Sequence, residues 1–489
     1  MPCPPMTLRT PRIFRVATIL LILPLGSCAE DEGARPEHLP DRFPISESGE
    51  VAPAIILIAL DTLRADHLGA YGYERPTSPE LDAFAAGATL YTRCQATAPW
   101  TLPSHASMFT GLYSFEHGAR TFPRDLVPSA REFNNTIPLP EEHRTIAEVL
   151  RDCGYATASV TANEGFLTEK YGLSQGFDHW DNKSARAWGI NNRVFKWLRT
   201  RPKDKPFFLF LNYMDTHRPY NNKRRPDIPY HAKPEINKLV PLILSQEEYD
   251  RDQVQVLHDV YDTAIANLDE HIGALFEQLR KLGLFDDALI IVTSDHGEFL
   301  GEHELVDHAK DVYQGATHVP LIVKAPGQTE GRLDDGWISL VHIPELILPY
   351  TQGCDVTELF ARQREAVLSE LYGPRPRQKE GIWRFRRVRR AVMRGDYKYV
   401  DSSDGQNELY DLKSDPDELT NLLERNEGET DRFLGLLDGH FGDIQVPESL
   451  NFVEMSDADL EIMEQLGYAS GGDEEDEDTP PAGDESDDE

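Results

Sequence analysis

Residues 289–298 read LIIVTSDHGE. A short, unbroken apolar run stops abruptly at Asp295, His296 and Glu298. Such a run, without polar alternation, reads as a strand buried on both faces, the kind found in parallel sheets. Just upstream, Val256, Val260, Ile265, Leu268, Ile272, Leu275, Leu279 and Leu282 recur at helical spacing over 254–282, and Gly283 stands where a C-terminal cap belongs. A long amphipathic helix therefore feeds straight into the strand. The strand pattern occurs twice more. IILIAL (55–60) runs into Asp61, and FFLFLN (207–212) runs into Tyr213-Met214-Asp215-Thr216-His217. In open α/β sheets the carboxyl ends of strands carry the ligand site, and a buried aspartate is nearly always paired or metal-bound. One such Asp alone could be a helix cap. Three together point to a site, and the alternation of strand and helix predicts an α/β fold.

A second stretch, APWTLPSHASMFTG (98–111), supplies a different chemistry. Pro103 suits the first turn of a helix whose body includes Ala106, Met108 and Phe109. Thr101 then stands at the helix N-terminus, where unpaired N–H groups and the dipole favour an anion. A hydroxyl in that place is a candidate nucleophile if a metal or base lowers its pKa. The plainer reading is that Thr101 or Ser104 is an N-cap.

The chain has 489 residues, 40% hydrophobic and 27% charged, enough for one large domain and a smaller companion. Its formal charge is −35. A body that acidic repels phosphate backbones, so nucleic acid is excluded as a partner. Five cysteines are too few for a disulfide framework at this length.

Five segments, in order over residues 53–425, resemble the sulfatase family within the alkaline phosphatase superfamily. They are IILIALDTLRADHLGAYG, TLPSHASMFTG, FFLFLNYMDTHRPY, the helix–strand segment ending SDHGEFLGEH, and ELYDLKSDPDELTNL (408–422). The resemblance implies a large mixed, mostly parallel sheet sandwiched by helices, with a smaller C-terminal α+β subdomain built on a small antiparallel sheet. It implies that Asp61, Thr101, Asp295 and His296 ligate one divalent cation. Oxygen donors with one imidazole suit Ca²⁺, Mg²⁺ or Mn²⁺, and they also admit Zn²⁺. Thr101 occupies the nucleophile position. His217 and His308 match positions that serve the anionic group or the leaving oxygen, and His105, Asn163 and Lys310 fall where substrate contacts are expected.

The sequence also departs from the family. Sulfate-cleaving members oxidise a cysteine or serine to formylglycine, and Thr101 is not expected to be converted. His105 replaces the motif's arginine, and YATASVTANEG (155–165) offers Asn163 where relatives carry a lysine and a histidine. Thr62 replaces the usual second acid. These changes favour a plain alcohol nucleophile and phosphorus chemistry, while the family label favours sulfate. The expected activity is hydrolysis of a sulfate- or phosphate-type ester on an anionic substrate, such as a glycan or lipid headgroup. The alternatives are a phosphodiester or phosphonate hydrolase, a phosphoryl-group transferase, or a non-catalytic binding lipoprotein.

The expected layout is a signal peptide (1–27), a flexible tether (28–50), the catalytic domain (51–355), the C-terminal subdomain (356–470) and a disordered acidic tail (471–489). Arg9, Arg12 and Arg15 precede the apolar run VATILLILPLGS, and Leu25-Gly26-Ser27-Cys28 resembles a bacterial lipobox. Cys28 is then the lipidation site, and the protein sits in a bacterial cell envelope, periplasmic or outward-facing, held to a membrane by its lipid. If so, Cys94, Cys153 and Cys354 leave room for one disulfide without requiring any. Residues 375–398 carry ten basic side chains in an acidic protein. They read either as a strand face compensated by neighbouring acids or as a basic rim that gathers polyanions, with Arg386 and Arg389 at its centre.

Overall fold

A computed structural model describes residues 52–121, 136–220, 250–351, 366–372, 387–441, 453 and 456–465. The signal peptide with Cys28, the tether, the acidic tail, Cys354 and residues 375–386 of the basic run lie outside the described residues.

Eight strands form the main sheet: β1 (Ile55–Leu60), β2 (Thr89–Gln95), β3 (Ala156–Thr161), β4 (His179–Asn182), β5 (Phe207–Tyr213), β6 (Leu289–Thr293), β9 (Leu321–Lys324) and β10 (Arg332–Ser339). The spatial order is β10-β2-β9-β6-β1-β5-β3-β4. Every pairing is parallel except those of β9, which runs against both β2 and β6. The sheet is therefore mixed and mostly parallel. A two-stranded ribbon, β7 (Phe299–Leu300) with β8 (Val306–Asp307), follows β6.

β1 shows why an unbroken apolar run belongs at the centre. Alternate side chains point to opposite faces. Ile55, Leu57 and Ala59 enter one core cluster, and Ile56, Ile58 and Leu60 enter the other. The helix Arg251–Lys281 covers the second face with Leu257, Val260, Ile265, Leu268 and Ile272. Its start is a capping box, with Asp250 accepting from the Gln253 amide at 2.8 Å and Gln253 accepting from the Asp250 amide at 3.0 Å. Gly283, just past its end, takes φ +65°, as the cap reading expects. On the other face, the helix Thr101–Thr110 contributes Leu102, Ala106, Met108 and Phe109. No helix among the described residues is long and apolar enough to cross a membrane.

A second sheet, antiparallel throughout, is built from β11 (Val367–Tyr372), β12 (Val388–Arg394), β13 (Tyr397–Ser402) and β14 (Glu408–Asp411). Here the basic strand needs correction. Arg389 is fully buried, not part of a rim. Its guanidinium is 2.9 Å from Asp311 and also pairs with Glu408, while Arg387 reaches Asp311 at 2.9 Å. Arg390 pairs with Asp401 at 2.9 Å. Asp401 and Glu408 lie on the following strands of the same sheet, as the compensated reading expects, and only Asp311 is distant in sequence. Lys398, also buried, donates to the Val312 carbonyl at 2.6 Å and pairs with Glu418 at 2.6 Å. The small sheet thus clamps the segment that follows His308. Cys94 is a free buried thiol and Cys153 is disulfide-bonded.

Removing one partner of a buried ion network leaves the others uncompensated. Arg389→Ala should therefore lower unfolding free energy by about 3–5 kcal/mol in urea titrations. Trp188→Ala, at an exposed position, should stay within about 0.5 kcal/mol. A loss below about 1 kcal/mol at Arg389 would refute the clamp.

Candidate active site

β6, β1, β5 and β3 are neighbours running the same way, so their carboxyl ends deliver side chains to one place. Asp61 follows β1, Asp295 and His296 follow β6, Asn163 follows β3, and Asn212 lies near the end of β5. Ligand atoms of Asp61, Asp295 and His296 all lie within 4.8 Å of one another, and all three residues are fully buried. Thr101, the first residue of its helix and also fully buried, brings Oγ1 to 3.5 Å from His296 Nε2.

The hydrogen bonds around these groups divide each carboxylate into a held oxygen and a remaining one. Asp61 Oδ2 accepts from the amides of Asn163 and Asn212, both at 3.1 Å. Asp295 Oδ1 accepts from the backbone N–H of His296 at 3.0 Å and of Thr62 at 3.3 Å. Asp61 Oδ1 and Asp295 Oδ2 have no hydrogen-bond partner. They lie 3.9 and 3.4 Å from His296 Nε2. His296 Nδ1 donates to the Gly297 carbonyl at 2.9 Å, which leaves the Nε2 lone pair on the side of these oxygens.

Electrostatics agree with that geometry. Burial, then the charge of Asp295, pushes the Asp61 carboxyl up to about 7, against the pull of His296 and the two amides. Burial also raises Asp295 and lowers His296 to about 3, the latter aided by His308. Two buried carboxylates, each with an orphaned oxygen beside a neutral imidazole and a hydroxyl, form a donor set that a divalent cation satisfies. The residues present fit such an ion.

The sequence reading puts His105 and Asn163 on the substrate; the structure places their polar atoms among the acids. His105, one helical turn after Thr101, sets Nδ1 2.9 Å from the Thr101 carbonyl and 3.5 Å from Asp295 Oδ2. Asn163 donates to Asp61, and its carbonyl accepts from the N–H groups of Gly165 and Phe166 at 3.0 and 2.9 Å. Asp215, the third acid at a strand end, stands apart. It accepts from the Ala187 N–H, at the start of the helix Ala187–Thr200, and lies 3.9 Å from Arg186.

His217 and His308 do come together, with ring centroids 4.9 Å apart, and His308 lies 4.6 Å from His296. His217 Nδ1 donates to the Arg218 carbonyl at 2.6 Å. Burial disfavours the charged form of His308, but Asp307 and Glu298 outweigh it and push the imidazolium up to about 9. Lys310, half-buried two residues further on, joins Arg218 and His308 in holding the Asp307 carboxyl well below its usual range against the effect of burial. Residues that the sequence reading passed over are Asn212, Arg218 and Asp307. Glu298 was visible in LIIVTSDHGE but carried no role. Asn212 ends the run FFLFLN, and an amide terminating a buried strand was the available signal.

Asp61's raised pKa has a sign that can be tested on chelator-treated protein. Its contribution to stability is fully present below the ordinary value of 3.8 and is lost as pH rises through about 7. Chelated protein should melt lower at about pH 8 than at about pH 5, and Mn²⁺ should raise the melting temperature more at the higher pH. Melting at the higher pH that ignores the ion would count against the site.

Comparison with known proteins agrees with this architecture. The sulfatase family model matches residues 53–353. An ulvan-active sulfatase of Formosa agariphila is 26% identical, over 77% of this chain and 78% of its own length. The solved phosphonate monoester hydrolase of Agrobacterium radiobacter superposes with a TM-score of 0.60 at 21% identity, covering 79% of this chain and 96% of that one. A structure holding its substrate D-glucosamine-2-N,6-O-disulfate gives a TM-score of 0.61 at 19% identity, covering 79% and 97%. With more than half its length matched by the family model, this chain belongs to the sulfatase family and is a hydrolase acting on sulfuric or phosphoric esters.

Proposed function

We propose that this protein is a metal-dependent hydrolase that cleaves a phosphate-, phosphonate- or sulfate-type ester by in-line attack of Thr101, with a preference for phosphorus. The observation that carries this reading is the position of Thr101 Oγ1, 3.5 Å from His296 Nε2 beside the orphaned oxygens of Asp61 and Asp295. Asp61, Asp295, His296 and Thr101 would hold the cation: Ca²⁺, Mg²⁺ or Mn²⁺, with Zn²⁺ also admitted. When bound, such an ion lowers the pKa of a ligated hydroxyl and offsets charge on the ester oxygens. Thr101 Oγ1 attacks the central atom opposite the leaving oxygen. His308, assisted by His217, donates to that oxygen, a step worth roughly 10²–10⁴-fold. Lys310, whose charge acts on Asp307, is the candidate to steady the anionic group. Asn163 holds Asp61 in place, and His105, bonded to the Thr101 carbonyl, steadies the turn that carries Thr101.

The preference for phosphorus rests on Thr101 being a plain alcohol. Water can release a phosphorylated threonine, whereas a sulfated one lacks the hemiacetal exit available to formylglycine. The phosphonate monoester hydrolase neighbour supports this branch. The substrate's organic part is most simply a glycan, as with the relatives that act on ulvan and bind glucosamine disulfate. Cys28 is the proposed lipid anchor in a bacterial envelope, and a disulfide at Cys153 suits an oxidising compartment.

Paired aryl sulfate, phosphate monoester, phosphodiester and phosphonate substrates should reveal turnover of a phosphorus ester that chelator abolishes and Mn²⁺ or Ca²⁺ restores. Turnover of sulfate alone would overturn the preference. Thr101→Ala should lower kcat at least about 10³-fold, and full retention would remove Thr101 from the reaction. Cys28→Ser should move the expressed protein from the membrane to the soluble fraction; unchanged membrane association would refute the anchor.

A further inference from the structure

His308 is held by two carboxylates at one ring nitrogen. Its Nδ1 lies 3.0 Å from Glu298 Oε1 and 3.0 Å from Asp307 Oδ1. Both neighbours are carboxylate oxygens, so Nδ1 carries a hydrogen; it donates to Glu298 Oε1, while Asp307 Oδ1 is a charge neighbour without a hydrogen bond. The ring's Nε2 edge is then turned away from the carboxylates.

The two carboxylates are themselves fixed. Glu298 is fully buried, and its backbone carbonyl accepts from Arg64 Nη1 at 2.9 Å. Asp307 pairs through its other oxygen with Arg218 Nη2 at 2.7 Å. Arg218 adjoins His217 in sequence and Asp307 adjoins His308, so this ion pair ties together the segments bearing the two histidines. The backbone is constrained as well. Asp307 and Ala309, on either side of His308, take φ of +73° and +60°, a region unfavourable for residues with a Cβ. Ala309 N–H donates to the Pro99 carbonyl at 2.8 Å, two residues before Thr101. Strain of that kind persists only where the surroundings over-determine the conformation.

We propose that Glu298 is a positioning residue for His308: with Asp307 and its partner Arg218, it fixes the ring so that Nε2 is presented to the ester's leaving oxygen. This rests on the reading of His308 given above. Neither Glu298 nor Asp307 touches the substrate in this scheme, and both act through the imidazole.

A double-mutant cycle tests the proposal, using p-nitrophenyl and phenyl esters of the same acid. His308→Ala should lower kcat on the phenyl ester about 10²-fold or more, and on the p-nitrophenyl ester much less, since a good leaving group needs little proton assistance. Glu298→Ala should reproduce that leaving-group pattern at about 10–100-fold, with KM and bound Mn²⁺ unchanged. Glu298→Gln, which can still accept from Nδ1, should recover most of the loss. In the His308→Ala background, Glu298→Ala should cost nothing more. Additive losses, equal losses on both esters, or a fully active Glu298→Ala would overturn the positioning role. Should Glu298→Ala fail to fold, the cycle is run with Asp307→Asn, whose loss must likewise vanish without His308. A fully active His308→Ala would instead remove the underlying reading and this proposal with it.

Discussion

Two carboxylates that water cannot reach face each other across the carboxyl ends of neighbouring parallel strands, and the protein has to hold them there. Left alone, Asp61 and Asp295 would take up protons or move apart. Asp61 N–H is tied to the Tyr213 carbonyl at 2.9 Å, which fixes β1 against β5. The amides of Asn163 and Asn212 hold one oxygen of Asp61, and backbone N–H groups hold one oxygen of Asp295. The two remaining oxygens have no protein donor. Like charges arranged in this way tolerate each other when a cation stands between them, and the chemistry of the site follows from that requirement.

The same economy extends outward through buried ions. Asp311 is paired with Arg389 of β12 and with Arg387 just before it, and Lys398 of β13 reaches the Val312 carbonyl. The small antiparallel sheet therefore braces the segment that carries His308 and Lys310, although none of its own residues enters the donor set. Thr62, at φ +62° with a β-branched side chain, shows the other side of the arrangement. It is a strained residue next to a metal-type ligand, where packing rather than propensity decides the backbone.

Much of the fold could be read from local pattern because its signals are local. The strands β1, β5 and β6 announce themselves as apolar runs, since both faces of a central parallel strand are covered. The helix Arg251–Lys281 announces itself by its spacing and caps. The motif residues Asp61, Thr101, Asp295 and His296 could be chosen because each lies at the end of such a run or the start of a helix. The basic strand was harder to read. The run admits a basic rim until its partners are placed: Asp401 and Glu408 come from the following strands and Asp311 from a distant segment. Asp215 was misleading in the opposite sense, because an acid at a strand end can serve a neighbouring helix instead of the site.

Sequence by itself determined which elements form, which strand ends carry acids and histidines, and that a threonine, Thr101, stands at the start of the helix beside them. These are properties of one residue and its near neighbours. Only the tertiary structure decided that Asn163 holds Asp61, that His105 bonds the Thr101 carbonyl beside Asp295, that Arg389 lies inside, and that Glu298, Asp307 and Arg218 converge on the two histidines. Those facts depend on distances between segments far apart along the chain, and such distances are set by packing across the whole sheet, which no local pattern records.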